Sequence, residues 1–262
     1  MSERTAIPFR AGGFAPRLRP AAAVATLLLL VGLWEAGARL HLFDTSFLST
    51  PGGIVRTITN LAASGDLQRH LAASLGRLAW GWLGGTVGGL ILGLVIGLFT
   101  LARSPGMAVV SALFPVPKIA LVPLFIIWFG IGEGSKIFTV AFGVFFPTII
   151  STVAGVDAVP RNLIRMAQSF GLSRWDIVSK VILPGALPAI LSAFRITSAT
   201  AIILLVAAEM IGAEQGIGAF VLQAGNLYDV DALMAGITLL SLLGLAVSWL
   251  IGRAERGLLR WR

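Results

Sequence analysis

Long stretches without a charged residue constrain this chain more than any other feature. Three of them cover residues 78–102, 137–156 and 232–252, with lengths of 25, 20 and 21 residues. A helix needs about 20 mostly apolar residues to cross the hydrocarbon core of a bilayer, so each stretch can span a membrane. Only 12% of all residues are charged, about half the share of a soluble domain. The chain is therefore predicted to be an all-α integral membrane protein.

Three further apolar stretches carry charge but remain long enough to span. Lys118 interrupts one and Arg195 another, while the N-terminal stretch ends at Glu35 and Arg39, which are four residues apart and can pair near the interface. Residues 1–19 are then an N-terminal tail, and the rest of the chain is one transmembrane domain. The six predicted spans lie at about residues 20–40, 78–102, 107–129, 136–156, 181–210 and 232–252.

The first apolar stretch allows a second interpretation. It follows an Arg-rich start and precedes Ala36, Gly37 and Ala38, which is the pattern of a signal peptide with its cleavage site. A leading region of about 20 residues is long for a signal peptide, and Glu35 is unfavourable beside a cleavage site. The topology of the other five spans is the same in both interpretations.

The distribution of Lys and Arg predicts the orientation. Cytoplasmic loops of membrane proteins are enriched in these residues, so the N-terminus is placed inside, with 13 cations in the cytoplasm and 5 outside. Both termini are then cytoplasmic. The cytoplasmic cations are scattered over four segments without an aromatic platform, so nucleic acid does not explain the net charge of +8.

Composition and motifs exclude several classes of function. The chain has no Cys and two His, so thiolate chemistry and a His-rich metal centre are not expected. The glycine-rich stretch from Gly130 to Lys136 lacks the Gly-Lys-Ser/Thr order of a phosphate-binding loop and is predicted to be an external turn. An intramembrane enzyme is disfavoured, because the inner faces offer no paired carboxylates and no nucleophile with a base.

Glycines recur every four residues in the second predicted span. Positions four apart drift only slowly around a helix, so these glycines form a flat stripe that another helix can approach closely. The stripe is predicted to be a helix-packing surface rather than a contact with a substrate. Its members are Gly81, Gly85, Gly89, Gly93 and Gly97.

The cytoplasmic loop at residues 157–180 has the pattern of a helix, a corner and a second helix. Pro160 suits the first turn of a helix, and Gly171 suits a left-handed helix end. Ser173 with Asp176 forms a variant of the capping box that opens the second helix. Such a helix can also lie on the bilayer surface with its Arg residues against lipid phosphates. One face of the first helix is apolar, with Leu163, Ile164, Ala167 and Phe170.

This loop resembles the EAA loop of binding-protein-dependent ABC importer permeases. The family pattern is Glu-Ala-Ala, three residues, Gly, nine residues and Ile-x-Leu-Pro. Aligned on Gly171, the chain matches at Ala167 and at Leu183-Pro184, with Val181 as a mild replacement. The family's Glu-Ala is replaced by Arg165-Met166, so a contact made through that glutamate is not carried over.

The resemblance extends over roughly residues 20 to 262. The stretches 115–124, 128–133 and 208–213 are similar to the subfamily that imports nitrate, sulfonates and taurine, as is the C-terminal stretch 253–261. The resemblance implies a type I ABC importer permease fold with six transmembrane helices and a cytoplasmic coupling helix.

The resemblance also implies partners. Two permease copies would pair in the lipid of a bacterial inner membrane, a periplasmic binding protein would deliver the solute, and two cytoplasmic ATPase subunits would bind ATP and Mg²⁺. The chain itself would hold no cofactor and would not be an enzyme. The residues implied to contact the ATPase are Arg165, Met166, Ala167, Phe170, Gly171, Leu172 and Ser173.

Three charged residues in the spans are candidates for the translocation path of an anion. Lys118 and Arg195 each lie about 16 Å into a span, near mid-membrane, where an unpaired cation is costly. Each can instead pair with a backbone carbonyl or reach the interface. Glu209 lies at the outer end of the fifth span, where it either fixes a bend toward Gly212 or contacts a gate or the binding protein.

A secondary transporter for a small anion is the alternative function. Such a protein should show repeated halves and acidic residues inside its spans, and only Glu209 comes near that description. The sequence therefore favours a permease subunit that moves a small solute, an anion such as a sulfonate, taurine or nitrate.

Overall fold

The computed structural model describes residues 20–259, which are helical and contain no strand. The N-terminal tail predicted over residues 1–19 lies outside the described range, as do residues 260–262. The helices are α1 (Pro20–Arg39), α2 (Pro51–Ser64), α3 (Asp66–Leu98), α4 (Thr100–Leu113), α5 (Val122–Phe129), α6 (Glu133–Asp157), α7 (Arg161–Ser169), α8 (Arg174–Ile177), α9 (Leu183–Gly212), α10 (Ile217–Asn226) and α11 (Val230–Leu258).

Five helical stretches in the described range are long and apolar enough to cross a membrane. Four are the single helices α1, α3, α6 and α11, and the fifth runs from α8 through a π-helical turn (Val178–Ile182) into α9. α4 and the segment containing α5 form a sixth crossing when counted together, and they meet at 85°. The six predicted spans thus correspond to five helical stretches and one broken pair.

The third predicted span is broken at its prolines. α4 ends at Leu113, and a 3₁₀ turn over Lys118–Leu121 leads into α5. Pro115 and Pro117 have no N–H for a helical hydrogen bond, and each disfavours helical backbone in the residue before it. The chain therefore turns sharply here instead of continuing as one helix.

The second crossing begins at Asp66, twelve residues before the charge-free stretch that predicts it. Arg69 is exposed in the first turn and pairs with Asp66 at 2.7 Å. Arg77 has only 4% of its side chain exposed, because carboxylates of other helices surround it. A search for stretches without charged residues excludes such a paired arginine. The predicted span therefore starts later than the helix does.

The glycine stripe of α3 lies along α6. A Cβ atom on Gly89 would lie 2.7 Å from the carbonyl oxygen of Phe145, and one on Gly93 would lie 2.7 Å from the Cβ of Thr152. Toward the two ends of the stripe, Gly81 faces Val140 and Gly97 faces Val156. The two backbones can approach this closely only because α3 carries no side chains on that face.

α6 lies between α3 and α9 and is the centre of the bundle. Its Val140, Val144 and Ile149 are fully buried, at 0% exposure. α1 lies at the periphery, where the leucines from Leu27 to Leu30 are each more than half exposed. Apolar side chains therefore cover both the inside of the bundle and its outer surface, which is the distribution expected of a protein surrounded by lipid.

The glycine stripe can be tested with a matched pair of substitutions. Gly89→Ala puts a Cβ against the α6 backbone and should cost about 1–3 kcal/mol by overpacking. Gly84→Ala is the control, because nothing lies within 4 Å of a Cβ at that position. Thermal unfolding of the detergent-solubilised protein, followed by tryptophan fluorescence, should show a lower midpoint for Gly89→Ala only. Equal midpoints would contradict this packing.

Candidate functional site

Arg77 joins four parts of the chain through one guanidinium group. Its Nη1 donates to Glu209 Oε1 at 2.8 Å and to the carbonyl oxygen of Gln215 at 2.5 Å. Its Nε and Nη2 donate to the two carboxylate oxygens of Glu133, both at 2.6 Å. α3 is thereby tied to the first residue of α6, to the end of α9 and to the loop between α9 and α10.

Glu209 is 0% exposed, and both of its carboxylate oxygens accept hydrogen bonds. The Ser74 hydroxyl lies 2.8 and 3.0 Å from them, and the backbone N–H of Gly218 donates to Oε2 at 2.9 Å. Ser74 Oγ also accepts the N–H of Ile217 at 2.9 Å. Glu209 and Ser74 therefore cap the first turn of α10 while Glu209 neutralises Arg77.

Gly216 makes this arrangement possible. Its φ of +133° is a left-handed conformation that favours glycine. A side chain there would also collide with the Glu209 carboxylate. The structure places Glu209 three residues before the end of α9, with its partners inside the protein. Its membership of the translocation path stays a prediction.

Lys136 closes the turn that precedes α6. Its side chain is 5% exposed, and Nζ donates to the carbonyl oxygens of Ile131 at 2.6 Å and Gly132 at 3.0 Å. A cavity of about 320 Å³ lies beside it, lined by Arg77, Lys136, Glu133 and Glu214 among others. Within residues 20–259, no group of three or more His, Asp or Glu side chains is arranged to hold a metal ion.

The predicted helix and corner lie at the opposite end of the bundle, beyond the far end of α6. α7 ends before Gly171, whose φ of +72° turns the chain. Ser173 Oγ accepts the N–H of Asp176 at 3.1 Å and opens α8. Lys180 pairs with Asp176 at 2.6 Å one turn later. The left-handed Gly171 and the Ser173–Asp176 cap that the sequence predicts are thus both present at the corner.

The apolar residues of α7 divide between two sides. Ala167, at 4% exposure, packs with Ile177 and Ile182, and Ile164 and Leu172 pack against the same cluster. This inner side joins α7 to the ends of α6 and α9.

The outer side of α7 and α8 carries large apolar side chains that are exposed, together with charged residues such as Arg165 and Arg174. Met166 is 53% exposed, and Phe170 of the corner and Trp175 of α8 are each 76% exposed. Leu163 is also exposed, at 41%. The sequence placed Leu163 and Phe170 on one face with Ile164 and Ala167, and it did not single out Trp175. We call Met166, Phe170 and Trp175 the docking surface.

Arg195 is paired rather than free. Its Nη2 lies 2.6 Å from Glu255 Oε2, with 57% of the arginine side chain exposed. Glu255 lies about 38 Å from the start of α11 and three residues before its end. Arg195 is therefore level with the last turns of α11.

Lys118 lies in the turn between α4 and α5. Its Nζ donates to the backbone carbonyl oxygen of Phe114 and lies 4.9 Å from the centre of the Phe114 aromatic ring. The pairing with a backbone carbonyl is one of the alternatives open from the sequence. For both Lys118 and Arg195, a role in the translocation path stays a prediction.

The described residues thus form a bundle with five helical stretches able to cross a membrane and an exposed helix and corner at one end. Residues 85–260 match the family described as the binding-protein-dependent transport system inner membrane component. The chain belongs to this family and is an ABC importer permease.

Relatives of known description agree with this assignment. The chain is 35% identical to the taurine transport system permease protein TauC of Escherichia coli K12, over 91% of this chain and 88% of that protein. It is 40% identical to the putative aliphatic sulfonates transport permease protein SsuC of the same organism, over 88% of each. It is 34% identical to the riboflavin transport system permease protein RibX of Chloroflexus aurantiacus, over 90% and 88%.

The fold has a counterpart among solved structures. A chain of the inward-facing MetNI methionine ABC transporter superposes with a TM-score of 0.66 at 23% identity. The match covers 73% of this chain and 95% of that chain. It shows that the arrangement of helices is shared.

Ser74, Arg77 and Glu133 were missed as site residues from the sequence. The sequence contained a signal, because Ser74 and Arg77 precede Gly81 by seven and four residues and so continue the face of the glycine stripe. Two polar residues on the face that meets α6 must find partners inside the bundle. Glu133 gave no comparable signal, since its partner is far away in the sequence.

The buried ion pair predicts a large difference between two charge-removing substitutions. Glu209→Gln leaves Arg77 partly uncompensated and should cost about 3–5 kcal/mol. Asp157→Asn is the control, because it breaks the Arg103–Asp157 pair, in which both side chains are more than 40% exposed, and should cost less than about 1 kcal/mol. The unfolding midpoint of each purified variant measures the difference. Equal losses would show that the Arg77–Glu209 pair is not a buried structural pair.

Proposed function

We propose that this permease is the membrane subunit of an ATP-driven importer for small sulfonates such as taurine. A periplasmic binding protein delivers the solute, two copies of the chain form the path, and two cytoplasmic ATPase subunits bind ATP and Mg²⁺. The observation that carries the proposal is the uncovered apolar docking surface on a helix whose other side is packed into the bundle. The transporter lies in a bacterial inner membrane with both termini in the cytoplasm, as the distribution of Lys and Arg favours.

The docking surface is suited to a groove on a partner protein. An exposed aromatic pair, Phe170 and Trp175, with a flexible Met166 supplies the kind of anchor that binds in an apolar pocket. Gly171 between them carries no side chain, and a Cβ there would meet nothing within 4 Å, so a partner can approach the corner closely. The ATPase subunit is the partner to which we assign this surface.

α7 is connected to the bundle both by packing and by the continuous chain into α9. The inner side of α7 packs on Ile177 and Ile182, and from there the chain continues through the π-helical turn into α9 without a loop. If ATP binding draws the two ATPase subunits together, the attached α7 helices move and α9 moves with them. The nucleotide on the partner thereby biases the equilibrium between inward-open and outward-open states.

A second copy completes the path. One face of α9 is uncovered in the single chain, with Ile196 at 68% and Ile203 at 63% exposure, and the small residues Ser192 and Ala199 share this exposed face. A path along this face needs a second wall, which a second copy related by twofold symmetry supplies. The apolar surface that remains, including α1, faces lipid.

The choice of solute rests on the relatives. The names of TauC and SsuC specify taurine and aliphatic sulfonates, and the name of RibX specifies riboflavin. Sulfonates, which are small anions, are the class that we propose. Nitrate is the second anion to test, because the sequence resembles the wider subfamily that includes nitrate importers.

The proposed function is tested in proteoliposomes that contain the permease, its ATPase and its binding protein. Uptake of radiolabelled taurine or of an alkanesulfonate should require internal ATP and Mg²⁺ and should exceed nitrate uptake. ATP-independent uptake driven by an ion gradient would instead identify a secondary transporter. ATP-driven uptake of nitrate but not of sulfonates would support the assignment as an importer and would show that the solute is nitrate.

The docking surface yields a separate prediction. Phe170→Asp should abolish co-purification with the ATPase and reduce uptake at least about tenfold, because a hot-spot aromatic residue is replaced by a charge. Tyr228→Asp is the control, since Tyr228 is 90% exposed and lies beyond α10, away from α7. It should leave co-purification unchanged. Retention of the ATPase by Phe170→Asp would contradict the assignment of this surface.

A further inference from the structure

The cavity at the end of the bundle opposite α7 is lined by charges of both signs. Arg77 and Lys136 are its cations, and Glu133 and Glu214 are its carboxylates. Its volume of about 320 Å³ is within the range of small-molecule pockets, about 300–1,000 Å³.

Two connections between helices border this cavity. One is the turn between α5 and α6, which contributes Ile131 and Gly132, and the other is the loop after α9, which contributes Gly212 and Gln215. The cavity wall therefore combines charged side chains with loop backbone at the ends of three helices.

The two carboxylates on Arg77 are held very differently. Glu209 is 0% exposed and is also bonded to Ser74 and Gly218, so it cannot leave. Glu133 is 60% exposed, and among the described residues its side chain hydrogen-bonds only to Arg77. Rotation of this one exposed side chain uncovers Nε and Nη2 of Arg77, while Glu209 keeps the other edge neutralised.

We propose that the edge of Arg77 formed by Nε and Nη2 binds the sulfonate group of the solute, and that Glu133 is the carboxylate it displaces. Two oxygens of a sulfonate can accept two parallel N–H bonds from a guanidinium, as a carboxylate does. Lys136 adds a second positive charge at the cavity wall. For an aminosulfonate, the displaced Glu133 carboxylate offers a partner for the ammonium group. The inference rests on the proposed function, from which it takes the class of solute.

The proposal gives a physical reason for the pairing of Arg77 with an exposed carboxylate. An empty Arg77 edge would leave a largely buried cation half-paired, at a high desolvation cost. Glu133 pairs with Nε and Nη2 of Arg77. Another anion can take its place, so that this edge of the guanidinium stays paired with a negative charge. A solute without an anionic group cannot make this exchange, so the site discriminates by charge.

The binding test uses the purified permease alone. Methanesulfonate and taurine are titrated at constant ionic strength into wild type, Glu133→Gln and Glu214→Gln, and the dissociation constants are measured by calorimetry. Glu133→Gln should bind methanesulfonate about five- to tenfold more tightly, because a neutral amide competes less well for the guanidinium. Glu214→Gln is the control, because Glu214 lines the same cavity but is not among the hydrogen-bond partners recorded for Arg77. It should stay within about twofold of wild type.

Several results would overturn the proposal. Equal affinity of Glu133→Gln and wild type would show that Glu133 does not compete with the sulfonate. An equal gain in both variants would show that any lost negative charge has the same effect. If Glu133→Gln changes the affinity for the binding protein but not for methanesulfonate, the Arg77 edge receives a group of that partner. Unfolding midpoints without ligand verify that both variants are folded.

The uptake assay separates this inference from the proposed function. ATP-driven sulfonate uptake with no affinity difference between Glu133→Gln and wild type retains the function and rejects the site. Tighter methanesulfonate binding by Glu133→Gln without sulfonate uptake by the complex supports the site and rejects the proposed solute.

Discussion

The buried ion pair between Arg77 and Glu209 is the interaction on which the end of the bundle opposite α7 depends. Two charges inside an apolar bundle are tolerated only when each is paired and its remaining hydrogen-bonding groups are satisfied. Both conditions hold here, because Ser74, Gly218, Gln215 and Glu133 complete the set of partners. The non-helical loops before α6 and before α10 keep their positions because their polar groups belong to this network. A bundle held by apolar contacts alone would not specify them.

The two ends of the bundle are held by charge pairs of unequal strength. At the Arg77 end the Arg77–Glu209 pair is buried on both sides, so separating its ions is costly. At the α7 end the arginine or lysine of each pair is substantially exposed, as in Arg103–Asp157, Lys180–Asp176 and Arg195–Glu255. Exposed pairs contribute about 0–1 kcal/mol and can exchange partners at little cost. Between the ends, the glycine contact of α3 with α6 leaves little room for sliding. This arrangement suits the proposed role, in which α7 moves with its partner and a stiff α9 of about 45 Å transmits the movement.

The family assignment rests on a match over most of the chain, whereas the proposed solute rests on the names of relatives. Relatives named for taurine, for aliphatic sulfonates and for riboflavin resemble this chain over most of its length. The helical arrangement is therefore compatible with solutes of different chemistry. Discrimination between them has to come from particular side chains and from the partner that delivers the solute. Within this chain, the cavity beside Arg77 is the place that we propose for such discrimination.

Much of the architecture could be predicted from the sequence, because the bilayer makes simple demands. Charge-free stretches locate the membrane helices, and Gly171 with Ser173 locates the corner after α7, since each depends on local chemistry. The sequence was sufficient to recognise the glycine stripe as a packing surface. It did not show that α6 is the helix that packs against it. Only the tertiary structure decided that Arg77, predicted to lie outside the membrane, is buried on Glu209, which lies 132 residues away along the chain. It also decided which apolar residues of α7 are covered and which are exposed. The physical reason is the same in both cases: the cost of a charge or of an exposed apolar group depends on its neighbours in space, and the sequence alone does not specify them.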